Sequence, residues 1–94
     1  MLSFEHKREI LRSFPELREQ SISNGHYVNF TFSSSKKPGK TVARELYHSG
    51  NGYVCGRYMA DYPTDARGWI NIKNFNEAEL KEVVSMSIES MSKP

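Results

Sequence analysis

The chain has 94 residues, room for one small domain, and with 37% apolar residues and a single cysteine, Cys55, its core must rest on a few large side chains without an internal disulfide. Thirteen basic and eleven acidic residues leave a net charge of +2, too little for the broad positive field of a dedicated nucleic-acid binder. No apolar run approaches the roughly 18 residues of a membrane span and no charged-then-apolar leader opens the chain, so the sequence predicts a cytoplasmic protein with no membrane attachment.

Ser3 is placed to cap a helix with Phe4, Ile10, Leu11 and Phe14 on its apolar side and Lys7, Arg8, Glu9 and Arg12 toward water. Pro15 ends it and suits the first turn of a second short helix through Glu19. After the turn signal Ser23-Asn24-Gly25, His26 to Phe32 alternates, with Val28, Phe30 and Phe32 on one face of a half-buried strand. Ser33 to Lys40, rich in serine and lysine, reads as an exposed, mobile hairpin loop.

Thr41 to His48 and Tyr53 to Met59 form the clearest hairpin, closed by Ser49-Gly50-Asn51-Gly52. Asp61 to Ala66 is turn chemistry, and Gly68 to Lys73 is a fourth strand with Ile70 and Ile72 inward. Asn76 and Glu79 form a capping-box pair for a final helix whose stripe is Leu80, Val83, Val84, Ile88 and Met91, with small Ser87 allowing a close approach. The expected fold is α+β: one or two N-terminal helices, a four-stranded antiparallel meander, and a C-terminal helix on one face of the sheet. The other face is left for solvent or a partner.

The segment Gly68 to Ile72 followed by Phe75 to Met91 resembles the last strand and helix of small bacterial proteins of the YjbR-like type. The likeness is confined to the final quarter of the chain and carries no function with it.

Between Arg44 and Phe75 basic and aromatic residues interleave: Arg44, Tyr47, His48, Tyr53, Arg57, Tyr58, Tyr62, Arg67 and Trp69. Strand alternation divides them, sending Val54, Gly56 and Tyr58 toward the helices and Tyr53, Cys55 and Arg57 outward, joined by Trp69 and Asn71. Gly56 makes room for something lying on the sheet, most simply the indole of Trp69. The same residues also serve ordinary cross-strand pairing.

Pro38-Gly39-Lys40-Thr41 lacks the earlier glycine and the following helix of a phosphate-binding loop. His6, His26 and His48 have no zinc-ligand spacing, and no motif implies a cofactor or a metal. Catalysis rests only on Cys55 with His48 across the hairpin turn. Met86, Ile88 and Met91 fill a soft core or extend into a dimer seam. The expected function is therefore non-catalytic binding through the open sheet face, to a protein partner or in a homodimer, with Tyr53, Arg57 and Trp69 as anchors. The alternative is nucleic acid or an anionic small molecule, with Arg44, Arg57 and Arg67 on phosphate and Tyr53 or Trp69 stacking.

Overall fold

The computed structural model describes residues 2–94. Helix α1, Phe4–Arg12, begins where expected, with the Ser3 hydroxyl accepting from the His6 N–H at 3.1 Å. Five strands follow: β1 Arg18–Ile22, β2 Tyr27–Thr31, β3 Thr41–Leu46, β4 Tyr53–Cys55 and β5 Trp69–Asn71. They pair antiparallel in simple sequence order, and helix α2, Glu77–Ser92, closes the chain. The fold is α+β, with five strands rather than four.

The extra strand replaces the expected second short helix. Arg18 to Ile22 has one apolar residue and no periodicity of its own, so its conformation is set by the partner, in a ladder running from Arg18↔Thr31 to Ile22↔Tyr27. Ser23, Asn24 and Gly25 take φ of 52°, 57° and 86°, the left-handed backbone that turns β1 back on β2. Glu19 sits opposite Phe30 and shares its face. Arg8 and Arg12 of α1 reach down to that carboxylate at 2.8 Å and 2.5 Å, so an edge strand with an inward charge is tied to the helix above it.

The hydrogen bond from Arg12, helped by Arg8, holds the Glu19 carboxyl below the ordinary glutamate range. A carboxylate shifted down in the folded state adds stability above its unfolded pKa, and that contribution is lost as pH falls through the folded value. Glu19→Gln should therefore lower the urea midpoint modestly at neutral pH, with the gap to wild type closing below about pH 4. An equal gap at pH 3 and pH 7 would show that packing, not charge, is what the variant loses.

Strand β3 carries two irregularities, seen in the shifts between Val28↔Leu46, Phe30↔Ala43 and Thr31↔Thr41. Glu45 has φ of 56° at one, and at the other the consecutive residues Val42 and Ala43 are both buried, which strict alternation forbids and a bulge permits. Val28, Phe30, Leu46, Val54 and Ile70 build the core floor. Helix α2 lies over β3 and β4 and beside α1. Its predicted stripe is buried throughout, its capping box is complete, and the Ser87 hydroxyl donates to the Cys55 carbonyl at 2.7 Å, the close approach that a small residue allows. His6 and Glu77 bridge the two helices at 2.8 Å.

Lys7, expected in water, is wholly buried. Its ammonium donates to the carbonyls of Gly50, Ile72 and Lys73, the last two at 3.0 Å and 2.9 Å, joining α1 to the β3–β4 turn and to the exit of β5. Burial, then the charge of Lys73, pulls its pKa below the usual lysine value.

The Ser33 to Lys40 loop is fastened where a mobile segment was expected. The Lys36 N–H donates to the Met91 carbonyl at 2.7 Å, the Tyr58 hydroxyl donates to the Pro38 carbonyl at 2.8 Å, and Ser35 is buried. Among the described residues no helix is long and apolar enough to cross a membrane.

Candidate functional site

Strand register assembles the candidate surface. Arg44 pairs with Tyr53 and Tyr53 with Asn71, while Cys55 pairs with Trp69 one step along the ladder in phase with them. Side chains on these rungs share the face away from the helices, since Ala43, Val54 and Ile70, on the intervening rung, are buried in the core. The expected division of the sheet into an inner Val54 and Ile70 set and an outer Tyr53 and Trp69 set holds.

Arg44 stands at the middle of the outer set. Its guanidinium lies 4.2 Å from the Trp69 ring centroid and 5.7 Å from that of Tyr53, so one cation is shared by two aromatic faces. Its Nε is shut off from solvent and makes no hydrogen bond, with the nearest carboxylate oxygen, Oε2 of Glu45, at 3.6 Å. Farther along the face Tyr27 and Tyr47 approach to 5.2 Å, and His48 stacks on Tyr47 at 4.0 Å. Arg44, Tyr53, Trp69, Tyr27 and Tyr47 are all half-buried, too exposed for core and too covered for free surface.

Arg57 and Arg67 lie elsewhere. Strand β4 stops at Cys55, and at the next position a side chain in place of Gly56 would meet Ile70 Cδ1 at 2.6 Å and Thr64 Cγ2 at 2.7 Å. The space over Gly56 is thus filled by Ile70 and Thr64, not by the indole of Trp69 as expected. Beyond it the chain turns, and the exposed Arg57 donates to the Arg67 carbonyl at 3.2 Å across a shallow hollow of about 370 Å³. Both arginines are exposed on this turn, off the strand rungs that carry Arg44, Tyr53 and Trp69.

That turn is organised by Asp65. Its Oδ1 accepts from the N–H groups of Arg67 at 2.8 Å and Trp69 at 3.0 Å, and its own N–H donates to the Trp69 carbonyl at 2.8 Å. The Trp69 N–H is the main reason its carboxyl titrates below the ordinary aspartate range, with Arg67, Gly68 and Arg44 adding to it. Trp69 is thereby held by backbone bonds on the outer edge of the sheet as well as by its ladder to β4.

Against this edge lies a cleft of about 610 Å³ lined by Tyr53, Tyr62, Trp69 and Phe75 together with Asp65 and Glu79. The sequence places Tyr62 in the basic and aromatic stretch and Phe75 at its end, but brings neither to the face that carries Trp69. The available signal was their flanking position, one before Pro63 and one before the Asn76 cap, on either side of the Trp69 strand.

Cys55 and His48 do not meet. Cys55 is buried on the Trp69 rung, whereas His48 is in the turn at the opposite end of the hairpin with its ring on Tyr47. Among the described residues no three histidine, cysteine or carboxylate side chains gather closely enough to hold a metal ion. No known protein family, curated protein or solved structure matches this chain, so any functional reading must come from its own geometry.

Proposed function

We propose that the domain works by binding a protein through the uncovered face of its sheet, in the first instance a second copy of itself. The observation that supports this is the Arg44–Trp69–Tyr53 stack, half-exposed beside the Tyr27–Tyr47 pair on a face that neither helix covers. Tyrosine, tryptophan and arginine are the residues that dominate interface energies, because each contributes wide apolar area with a polar end and loses little freedom. Arg44 beside Glu45 gives the face both signs, so a two-fold copy can set arginine against glutamate, and a net charge of +2 opposes pairing only weakly.

Sedimentation equilibrium over a wide concentration range tests this reading. The expected result is a mass rising toward the dimer, with Arg44→Glu weakening association about tenfold or more by placing like charges together at the centre. Circular dichroism would confirm that the variant folds. A monomer mass at every concentration overturns the homodimer.

The unpartnered Nε of Arg44 supports a second reading, an anionic ligand at the same stack. Arg44 is already flanked by Glu45 and Asp65, and Arg57 and Arg67 are turned elsewhere, which disfavours phosphate. A titration with single-stranded and duplex oligonucleotides separates the two: phosphate-led binding must tighten steeply as salt is lowered.

A further inference from the structure

We infer that the cleft beside β5 binds an organic cation, a quaternary ammonium of about the size of choline, between the rings of Tyr53, Tyr62, Trp69 and Phe75 and the carboxylates of Asp65 and Glu79. This goes beyond the sheet-face reading, naming a ligand chemistry for the hollow at the edge of that face.

Four of the ten lining residues are aromatic, two are carboxylates, and none is basic. Aromatic faces attract a cation through their quadrupole, most strongly when the site excludes part of the water, and an alkylated ammonium loses little hydration on entering. A volume of about 610 Å³ falls within the range of small-molecule sites and holds such a group with water to spare.

Each carboxyl group has an oxygen to spare. Asp65 spends Oδ1 on two backbone N–H groups, which also keep it ionised. Glu79 spends Oε1 on the Asn76 N–H at 2.8 Å in the capping box. Burial chiefly, and after it the charges of Glu82 and Glu79, raise the pKa of the Tyr62 hydroxyl, so this wall is a neutral phenol.

The chain also offers an internal precedent. Trp69 and Tyr53 already hold the Arg44 guanidinium, and Arg44 is not among the residues that line the cleft. A ligand cation can therefore meet the cleft side of these rings without displacing it, its charge opposed by Glu79 and by an Asp65 carboxylate that Arg44 offsets only in part.

Trp69 is the only tryptophan, so its fluorescence reports directly on the cleft. Choline chloride would be titrated at constant ionic strength against dimethylbutanol, the neutral isostere in which carbon replaces nitrogen, at protein concentrations where the chain is monomeric. Choline should give a saturable change in the millimolar range, and the isostere should bind about tenfold more weakly. Glu79→Gln keeps a cap acceptor and should weaken choline about fivefold while leaving the isostere unaffected. Equal binding of the two compounds, or no saturable response to choline, overturns the inference. Because self-association is measured as a mass without choline, either reading can fail while the other stands.

Discussion

Replacing Lys7 with methionine is expected to lower the free energy of unfolding by about 4 kcal/mol, a large share of the roughly 5–10 kcal/mol that a domain of this size commonly has. Methionine matches the length of the stem, so little apolar packing is lost. What goes is the ammonium that three carbonyls, of Gly50, Ile72 and Lys73, share as their donor. Without it the buried Gly50 carbonyl has no donor and the Ile72 carbonyl keeps only the Phe75 N–H at 3.1 Å, while the Lys73 carbonyl, on an exposed residue, can turn to water; an unsatisfied buried acceptor costs about 1–3 kcal/mol. Burial of the charge is itself unfavourable, as the downward pull on the Lys7 pKa records, and the three bonds are what offset it. Urea denaturation should show the midpoint falling with the slope unchanged. Lys73→Met, which leaves its carbonyl in place on an exposed residue, should stay within about 0.5 kcal/mol of wild type. A loss below about 1 kcal/mol for the Lys7 variant would mean that water replaces the ammonium at the carbonyls.

Lys7 marks the limit of reading this fold from sequence. A lysine between His6 and Arg8 on a short amphipathic helix looks solvated, and nothing local reveals that the Ser49 to Gly52 turn presents a carbonyl to it from 43 positions away. Strand β1 escaped for a related reason. Its residues are polar because both its faces are accessible in part, and its pairing comes from the neighbouring strand and from Arg8 and Arg12 on Glu19. The β3–β4 hairpin, β2 and α2 were legible because each carries its own pattern: glycine turn signals, period-two alternation, and a capping box before an apolar stripe. The Ser33 to Lys40 loop has the composition of a free loop, yet its anchors are backbone groups and Tyr58, which composition does not register.

The candidate site divides the same way. Alternation separated Tyr53 and Trp69 from Val54 and Ile70 because β4 and β5 are regular over those rungs. It failed one residue later at Gly56, where the strand ends, and so carried Arg57 onto a face it does not share. The cleft was invisible for a different reason. Its walls come from the Asp61 to Asp65 turn, from β5 and from the start of α2, and only the way Asp65 folds the turn back onto Trp69 brings Tyr62 and Phe75 beside that ring.

Gly68→Ala is the variant expected to damage this site most for the least chemical change, with a loss of about 3 kcal/mol. Gly68 has φ of 88°, and a methyl there would lie 2.9 Å from Cβ of Arg57 and 3.1 Å from its Cα. A backbone atom cannot rotate aside, and neither strand can retreat, since the Gly56 N–H donates to the Gly68 carbonyl at 2.8 Å and the Gly68 N–H donates to Asp65 at 3.0 Å. The left-handed backbone adds about 1–2 kcal/mol for any residue with a Cβ, and the entropy gained by removing a glycine from the unfolded chain returns less than about 1 kcal/mol. Relief must come from the 65–69 turn opening, which pulls the Trp69 N–H from Asp65 and loosens the indole over Arg44. The urea midpoint should fall, Trp69 emission should shift to the red, and both self-association and choline binding should weaken together. Gly25→Ala is the matched control: φ is 86° but nothing lies within 4 Å of the added methyl, so it should lose only about 1 kcal/mol and leave Trp69 emission unchanged. Equal losses in the two variants would mean that Arg57 yields, and that the Gly56–Gly68 contact does not hold the tryptophan in place.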